Sequence, residues 1–402
     1  MTIPSVTATP QNKAAASFPE LDAALGLRDR IRSFSERIEG EREVPSELVE
    51  VLRAAQIFSL AIPEQYGGTE RSPGELLTLI EELARTDSAV GWLTMIYNTT
   101  AFTASMLPPE WAAKIYGASE SASITCGATA PTGKGRRVPG GLEVSGRWAW
   151  GSGSRHGDWI CGGTLIATED GIEKHPTGDP VVYVPYFEPD QVTFHDNWNP
   201  SGLRGTGSVD FEVDGAFVPE GRWIVLGSAD RHVHTPFFRM PFFGLFAAAV
   251  AAVPIGIAQR ALEEFTDLAR KKVAMWQKST LNESSLVQLE LGTAEALIQG
   301  GRRSLHHIIG EVWEKVLAGE DVTIEDRRQI RLAASQATAH CSRAVDMLYE
   351  AGGGTSIQSH CGLQQCFRDI HAATQHRLVG KQPLQLAGAL RLNGDAPGIV
   401  AL

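Results

Sequence analysis

Residues 62–68 read Ile62-Pro63-Glu64-Gln65-Tyr66-Gly67-Gly68, a proline-opened turn closed by two glycines, with helix-patterned sequence on either side. Upstream, SELVEVLRAAQIF (46–58), and downstream, GELLTLIEELART (74–86), place apolar residues at helical spacing. The paired glycines serve the geometry of the turn, where a left-handed backbone is needed.

That helical texture runs from about residue 18 to residue 125. From 126 to 235 the chain turns rich in Gly, Pro and β-formers. There Leu142, Val144, Trp148 and Trp150 fall on one face at period two, and Val209, Phe211 and Val213 alternate with Asp210, Glu212 and Asp214. From 236 to 402 helix returns. Val287, Leu291, Ala294 and Ile298 form one stripe, and Ile330, Ala334, Ala337, Cys341, Ala344 and Leu348 a second, sustained over five turns. Small residues on such a stripe let helices pack closely in a bundle. The expected fold is therefore α+β: an N-terminal α-helical domain (18–125), a central β-barrel or sandwich (126–235) and a C-terminal four-helix bundle (236–402). A polar lead, residues 1–17, is expected to be disordered and has no signal-type apolar core.

Composition narrows the classes of function. Of 402 residues 43% are hydrophobic and 21% charged, as in an ordinary soluble protein. A formal net charge of -11 argues against a nucleic-acid partner and against a basic membrane-surface helix. The longest apolar run, Leu245 to Ala258, is interrupted by Pro254 and Gly256 and is short for a membrane span. Cys126, Cys161, Cys341, Cys361 and Cys366 are odd in number and lack CxxC spacing, which reads as reduced thiols of a cytoplasmic protein. No ligand-spaced cluster suggests a metal.

The Ile62–Gly68 turn resembles the PE-x-YGG turn of acyl-CoA dehydrogenases, and three further segments resemble that family in the same order. They are Gly202-Leu203-Arg204-Gly205-Thr206-Gly207-Ser208, running into VDFEVDGAFVPEGR; Ala351-Gly352-Gly353-Gly354 after Leu348-Tyr349; and Phe367-Arg368-Asp369. Together they span about residues 20 to 390. The resemblance implies the acyl-CoA dehydrogenase fold, an FAD-type cofactor and a homotetramer built on the C-terminal bundle. Gly353 and Gly354 would then let a backbone approach flavin held across subunits.

One departure decides the chemistry. Many acyl-CoA dehydrogenases carry a glutamate base shortly after the Arg-Asp pair, whereas this chain reads IHAATQHRLVG, with no carboxylate from Ile370 until Asp395. Without a placed base, proton abstraction α to a thioester does not run. Arg368-Asp369-Ile370-His371 with His376 instead resembles a segment of the two-component aromatic hydroxylases that share this fold. His371 and His376 lie about 140° apart if the helix continues through both, so only one can face a pocket; His376 is the candidate base. Gly146-Arg147-Trp148-Ala149-Trp150-Gly151-Ser152-Gly153-Ser154 resembles those hydroxylases' G-x-W-x-F-x-S-G segment. By that resemblance Ser152 lies beside flavin N5 and Ser154 belongs to the cofactor site. Asp87-Ser88-Ala89-Val90-Gly91-Trp92 resembles their S-x-GW helix start and puts Trp92 near the flavin. Thr129 stands where acyl-CoA dehydrogenases have a flavin-edge strand. Asn98 falls where the hydroxylases often carry a histidine, and is the candidate polar contact to substrate. Phe238, Phe242 and Phe246, within a run that also holds Phe237 and Phe243, suit a pocket for a flat ring.

The resemblance thus implies the oxygenase component of a two-component flavin monooxygenase. It would hydroxylate a phenolic or indole-type substrate through a C4a-hydroperoxyflavin, from reduced FAD (or FMN) and O2. No nicotinamide-binding fingerprint is present, so a separate NAD(P)H:flavin reductase is expected. The rival readings are an acyl-CoA dehydrogenase with a relocated base, an N-hydroxylase acting on an amino sugar, and a non-enzymatic scaffold.

Overall fold

The computed structural model describes residues 17–117, 121–228, 230–273 and 275–394; the expected lead, apart from Ser17, lies outside them. Seven helices come first: α1 (Pro19–Gly26), α2 (Arg28–Ser33), α3 (Ser35–Glu41), α4 (Ser46–Ala54), α5 (Pro73–Thr86), α6 (Ser88–Ala101) and α7 (Pro109–Tyr116). Eight strands follow: β1 (Thr125–Val138), β2 (Gly141–Gly151), β3 (Trp159–Thr168), β4 (Gly171–Ile172), β5 (Val182–Phe187), β6 (Thr193–His195), β7 (Val209–Pro219) and β8 (Trp223–Val225). The chain closes with α8 (Phe242–Lys271), α9 (Ser285–Leu317), α10 (Ile324–Gly352), α11 (Gly362–Ala373) and α12 (Lys381–Asn393).

The Ile62–Gly68 turn is as tight as its glycines imply. Gly67 has φ +88, and a Cβ on Gly68 would lie 1.9 Å from the carbonyl oxygen of Ile62. After it, Ser72 caps α5 in a reciprocal pair with Glu75. The strands form one sheet in the order β6-β7-β2-β1-β3-β5-β8, with β4 on β3. Among the described residues only β1 and β3 run parallel. Its own apolar core includes Leu142, Val144, Trp148, Phe211 and Val213.

Trp150 corrects the expected face. It is 72% exposed, whereas Trp148 is fully buried. The pairing of β2 with β7 shifts between Trp148 and Gly151, and Trp150 adopts φ +62. A bulge adds one residue and reverses the alternation beyond it, so Trp150 leaves the core face just ahead of Ser152.

In the bundle, every residue of the stripe from Ile330 to Leu348 is fully buried, as are Ala294 and Ile298 of the α9 stripe; Val287 and Leu291 are half-buried. Pro254 does not break α8, which runs through it for 30 residues. Gly256 allows α8 to lie against α5, since a Cβ there would come within 2.3 Å of the Glu81 carbonyl oxygen. By length and composition α8 could cross a membrane, but 78% of its apolar stretch is buried inside the protein.

Candidate active site

Three of the motifs meet at one carboxylate. Asp369, buried on α11, accepts from the backbone N–H of Leu203 at 2.6 Å and from the hydroxyl of Ser88 at the start of α6. Burial pushes its carboxyl up to about 6. Arg368 beside it donates to the Ser201 carbonyl at 2.5 Å and to Glu39 at 2.8 Å. Gly202 is a glycine because a Cβ would meet the Arg368 carbonyl oxygen at 2.0 Å. Asp87 caps α6 by accepting from Ala89 and Val90, and Gly91 permits close contact with Ala84 of α5. The helix that carries Trp92 is thus fixed to both the loop before β7 and the C-terminal bundle.

From Trp92 a chain of hydroxyls runs into the β-domain. The indole Nε1–H donates to Ser152 Oγ at 3.1 Å, Ser152 Oγ lies 2.8 Å from Ser208 Oγ, and Ser208 Oγ lies 2.6 Å from Thr206 Oγ1. Thr206 gives its single proton to the Leu203 carbonyl at 2.8 Å. A hydroxyl has one proton and two lone pairs, so the directions follow in order. Ser208 donates to Thr206, Ser152 donates to Ser208, and Ser152 accepts from Trp92. One lone pair of Ser152 is left open to accept a further proton donor. Nothing here is charged. The backbone beneath is equally constrained: Gly153, at φ +62, donates its N–H to Thr206 and accepts from the Tyr97 hydroxyl at 3.0 Å.

On the bundle side of Trp92 stands His376. The two rings lie 5.8 Å apart edge to face, and Phe246 lies 5.6 Å from the imidazole on another side. α11 ends at Ala373, so His376 sits in the turn beyond it and not on the continuous helix expected. His371, one turn earlier, points elsewhere and pairs with Asp346 at 2.8 Å. Burial, with the charge of Arg331 second, pushes the His376 imidazole down to about 4. Its Nδ1 accepts the Leu378 backbone N–H at 3.3 Å, so the neutral ring carries its proton on Nε2. In this state the ring presents an Nε2–H donor at the position where the sequence suggested a base.

The other expected residues divide. Phe242 and Phe246 are half-buried, 6.0 Å apart, on the first turns of α8. Phe238 is a correction: it is 1% exposed and packed among Phe102 and Phe237 in the core. Asn98 is a second. Its amide donates to Ile57 and Thr94 carbonyls at 3.0 and 2.9 Å and accepts from Ala61 N–H at 3.3 Å, which uses both donors on a fully buried side chain and ties α6 to the segment ahead of the Ile62 turn. Thr129 is half-buried in β1, where pairing with β3 is irregular between Ala128 and Gly133. Ser154 is fully buried with its hydroxyl unpartnered among the described residues, close beneath Gly151. Gly353 and Gly354 are exposed after α10, and Gly353 at φ 55, ψ -147 takes a conformation open essentially to glycine alone. Ser208 and Thr206 had been visible only as part of a family segment, and Arg331 only as one polar residue beside a buried stripe; their roles come from contacts distant in sequence.

Comparison with known proteins fits this geometry. The acyl-CoA dehydrogenase N-terminal domain matches residues 25–107 and the C-terminal domain residues 248–381, together more than half of the chain. Indole-3-acetate monooxygenase of Pseudomonas putida is 29% identical over 381 residues, 94% of either chain. The oxygenase subunit HsaA of a flavin-dependent monooxygenase from Rhodococcus jostii is 27% identical over 367 residues, 89% of this chain and 92% of that one. XiaF from Streptomyces sp., solved with FADH2 and glycerol, superposes with a TM-score of 0.86 at 22% identity, covering 94% of this chain and 96% of its own. The chain therefore belongs to the acyl-CoA dehydrogenase family by its two domains and by its fold, and its relatives within that family are flavin-dependent monooxygenases.

Proposed function

We propose that this chain is the oxygenase component of a two-component flavin monooxygenase, hydroxylating a small aromatic substrate with reduced flavin made by a separate reductase. The observation that carries the reading is the directed hydroxyl chain that ends in an open lone pair on Ser152, next to Trp92 and His376. Reduced flavin has an N–H where oxidised flavin has a bare nitrogen, and only the N–H form complements an acceptor. The residues thus fit the reduced group, which when bound supplies the activation of O2.

Each side chain then has a task that its contacts support. Ser152 accepts and holds the flavin N5 proton, with Ser208 and Thr206 keeping its own proton turned away. Trp92 fixes the serine and shields it from water. His376 donates from Nε2 toward a substrate oxygen, and Phe242 and Phe246 bind the flat ring. Trp150, displaced outward beside Ser152, and the exposed Gly353 and Gly354 suit the outer part of the cofactor, the glycines from a neighbouring subunit of a homotetramer. A cytoplasmic location goes with the dependence on a diffusing reduced flavin.

The test is to supply photoreduced FAD, O2 and a panel of phenols and indoles to the purified chain. Hydroxylated product is expected from at least one of them without any reductase present. Peroxide alone with every aromatic tested overturns the reading.

A further inference from the structure

Arg331 lies on the buried stripe side of α10, between Ile330 and Ala333, and is 3% exposed. Its Nη1 donates to the Phe243 carbonyl at 3.3 Å, its Nε has no partner, and no carboxylate pairs with it among the described residues. A guanidinium has five N–H donors, and here the chain answers one. Arg222, buried to the same degree, faces Glu188 at 3.5 Å. Arg302, also in the bundle, meets Glu81 at 2.6 Å. An unpaired buried charge is unfavourable for folding, so it marks a place where something outside the chain completes the pair.

The place is specific. Phe243, whose carbonyl the guanidinium holds, is one turn before Phe246, and Phe246 packs on His376. Phe242, on the other side of Phe243 in sequence, lies 5.3 Å from it ring to ring. The charge of Arg331 also helps to hold the His376 imidazole neutral. The cation therefore flanks the aromatic end of the candidate active site. Its planar fork matches a carboxylate in two parallel hydrogen bonds.

We propose that Arg331 binds the carboxylate of the substrate, which is an aromatic acid anion with its ring against Phe242, Phe246 and His376. This rests on the oxygenase reading for the chemistry, but the binding claim is separable from it. Neutral phenols and indoles would bind weakly, because they leave the guanidinium buried and unpaired. Specificity of this kind arises from the penalty on the wrong ligand as much as from attraction to the right one.

Calorimetric titration of the full-length chain, with reduced FAD and without O2, tests this with three acids and their amides: benzoate, phenylacetate and indole-3-acetate. At least one acid should bind about 30-fold or more tightly than its amide. Arg331→Gln should erase that preference, bringing acid and amide to similar affinity, and Arg331→Lys should retain part of it. Melting curves of both variants establish that they fold, and Arg331→Lys alone decides the matter if the other does not. If no acid is preferred over its amide, or if the preference survives Arg331→Gln, the proposal is overturned. Selective acid binding with no hydroxylated product from any aromatic would uphold the carboxylate site and overturn the oxygenase reading instead.

Discussion

The two walls that meet at Trp92 are built on opposite rules. On the β-domain wall each hydroxyl from Ser152 to Thr206 is assigned a donor and an acceptor, and the one vacancy left is a neutral lone pair. On the bundle wall three half-buried phenylalanines follow one another on α8, and the carbonyl of one of them holds a cation with no counter-charge among the described residues. A surface satisfied in all but one position suits a partner that never varies, as a cofactor does. A surface that stays unsatisfied until a ligand arrives suits discrimination among substrates. Conservatism and selectivity are thus separated by a single indole ring.

Substitutions can break this contrast, starting where most is expected to change. Ser152→Ala removes the acceptor and strands Ser208 and the Trp92 N–H; hydroxylation should fall about 100-fold, with peroxide in place of product. Product and peroxide measured together check this, and a variant still coupling oxygen to product would remove Ser152 from the mechanism. Asn98→Ala should destabilise the fold by about 2–3 kcal/mol, since three buried backbone groups lose a bond, yet leave KM near the parent value. A large rise in KM at unchanged melting temperature would return Asn98 to the substrate pocket. Arg331→Met should raise stability by about 1 kcal/mol or more in denaturant titration, because an unpaired charge gives way to packed hydrocarbon. A loss of stability would mean that the chain itself answers the guanidinium.

The smallest effect is one of pH. His376 is neutral in the fold until about pH 4, below its ordinary range. It therefore carries no penalty above about pH 6.5, and stability is lost as the pH falls from there through about 4. The hydroxylation rate should show no histidine limb between about pH 5.5 and about pH 8. A limb near 6.5 that vanishes in His376→Asn would make this ring a titrating base after all.

Layer order and the bundle stripes were legible in the sequence, because each rests on local periodicity or on a recognisable motif; Ser152 and Trp92 were named separately by resemblance, and their hydrogen bond shows only in the fold. Ile330 to Leu348 needed only the spacing of apolar residues. Trp150 was misread for a physical reason: alternation carries no mark of an inserted residue, and the bulge shows only when β2 meets β7. Asn98 was misread because a polar side chain on a buried helix looks the same whether it serves a ligand or a neighbouring backbone. The unpaired state of Arg331 and the proton directions through Ser208 and Thr206 are properties of three-dimensional bookkeeping, and no spacing encodes them.

Asp369 has a consequence for how the molecule is assembled. Its oxygens join Ser88 across 281 positions and Leu203 across 166, so the loop and helix that present Trp92 and Ser152 cannot lock until α11 has been synthesised and docked. Closing such long spans is slow, since chain entropy must be surrendered before any contact is gained. A nascent chain would already have its sheet and first helices in place while the reactive end stayed loose, and competence would come in one late step, once α11 has docked.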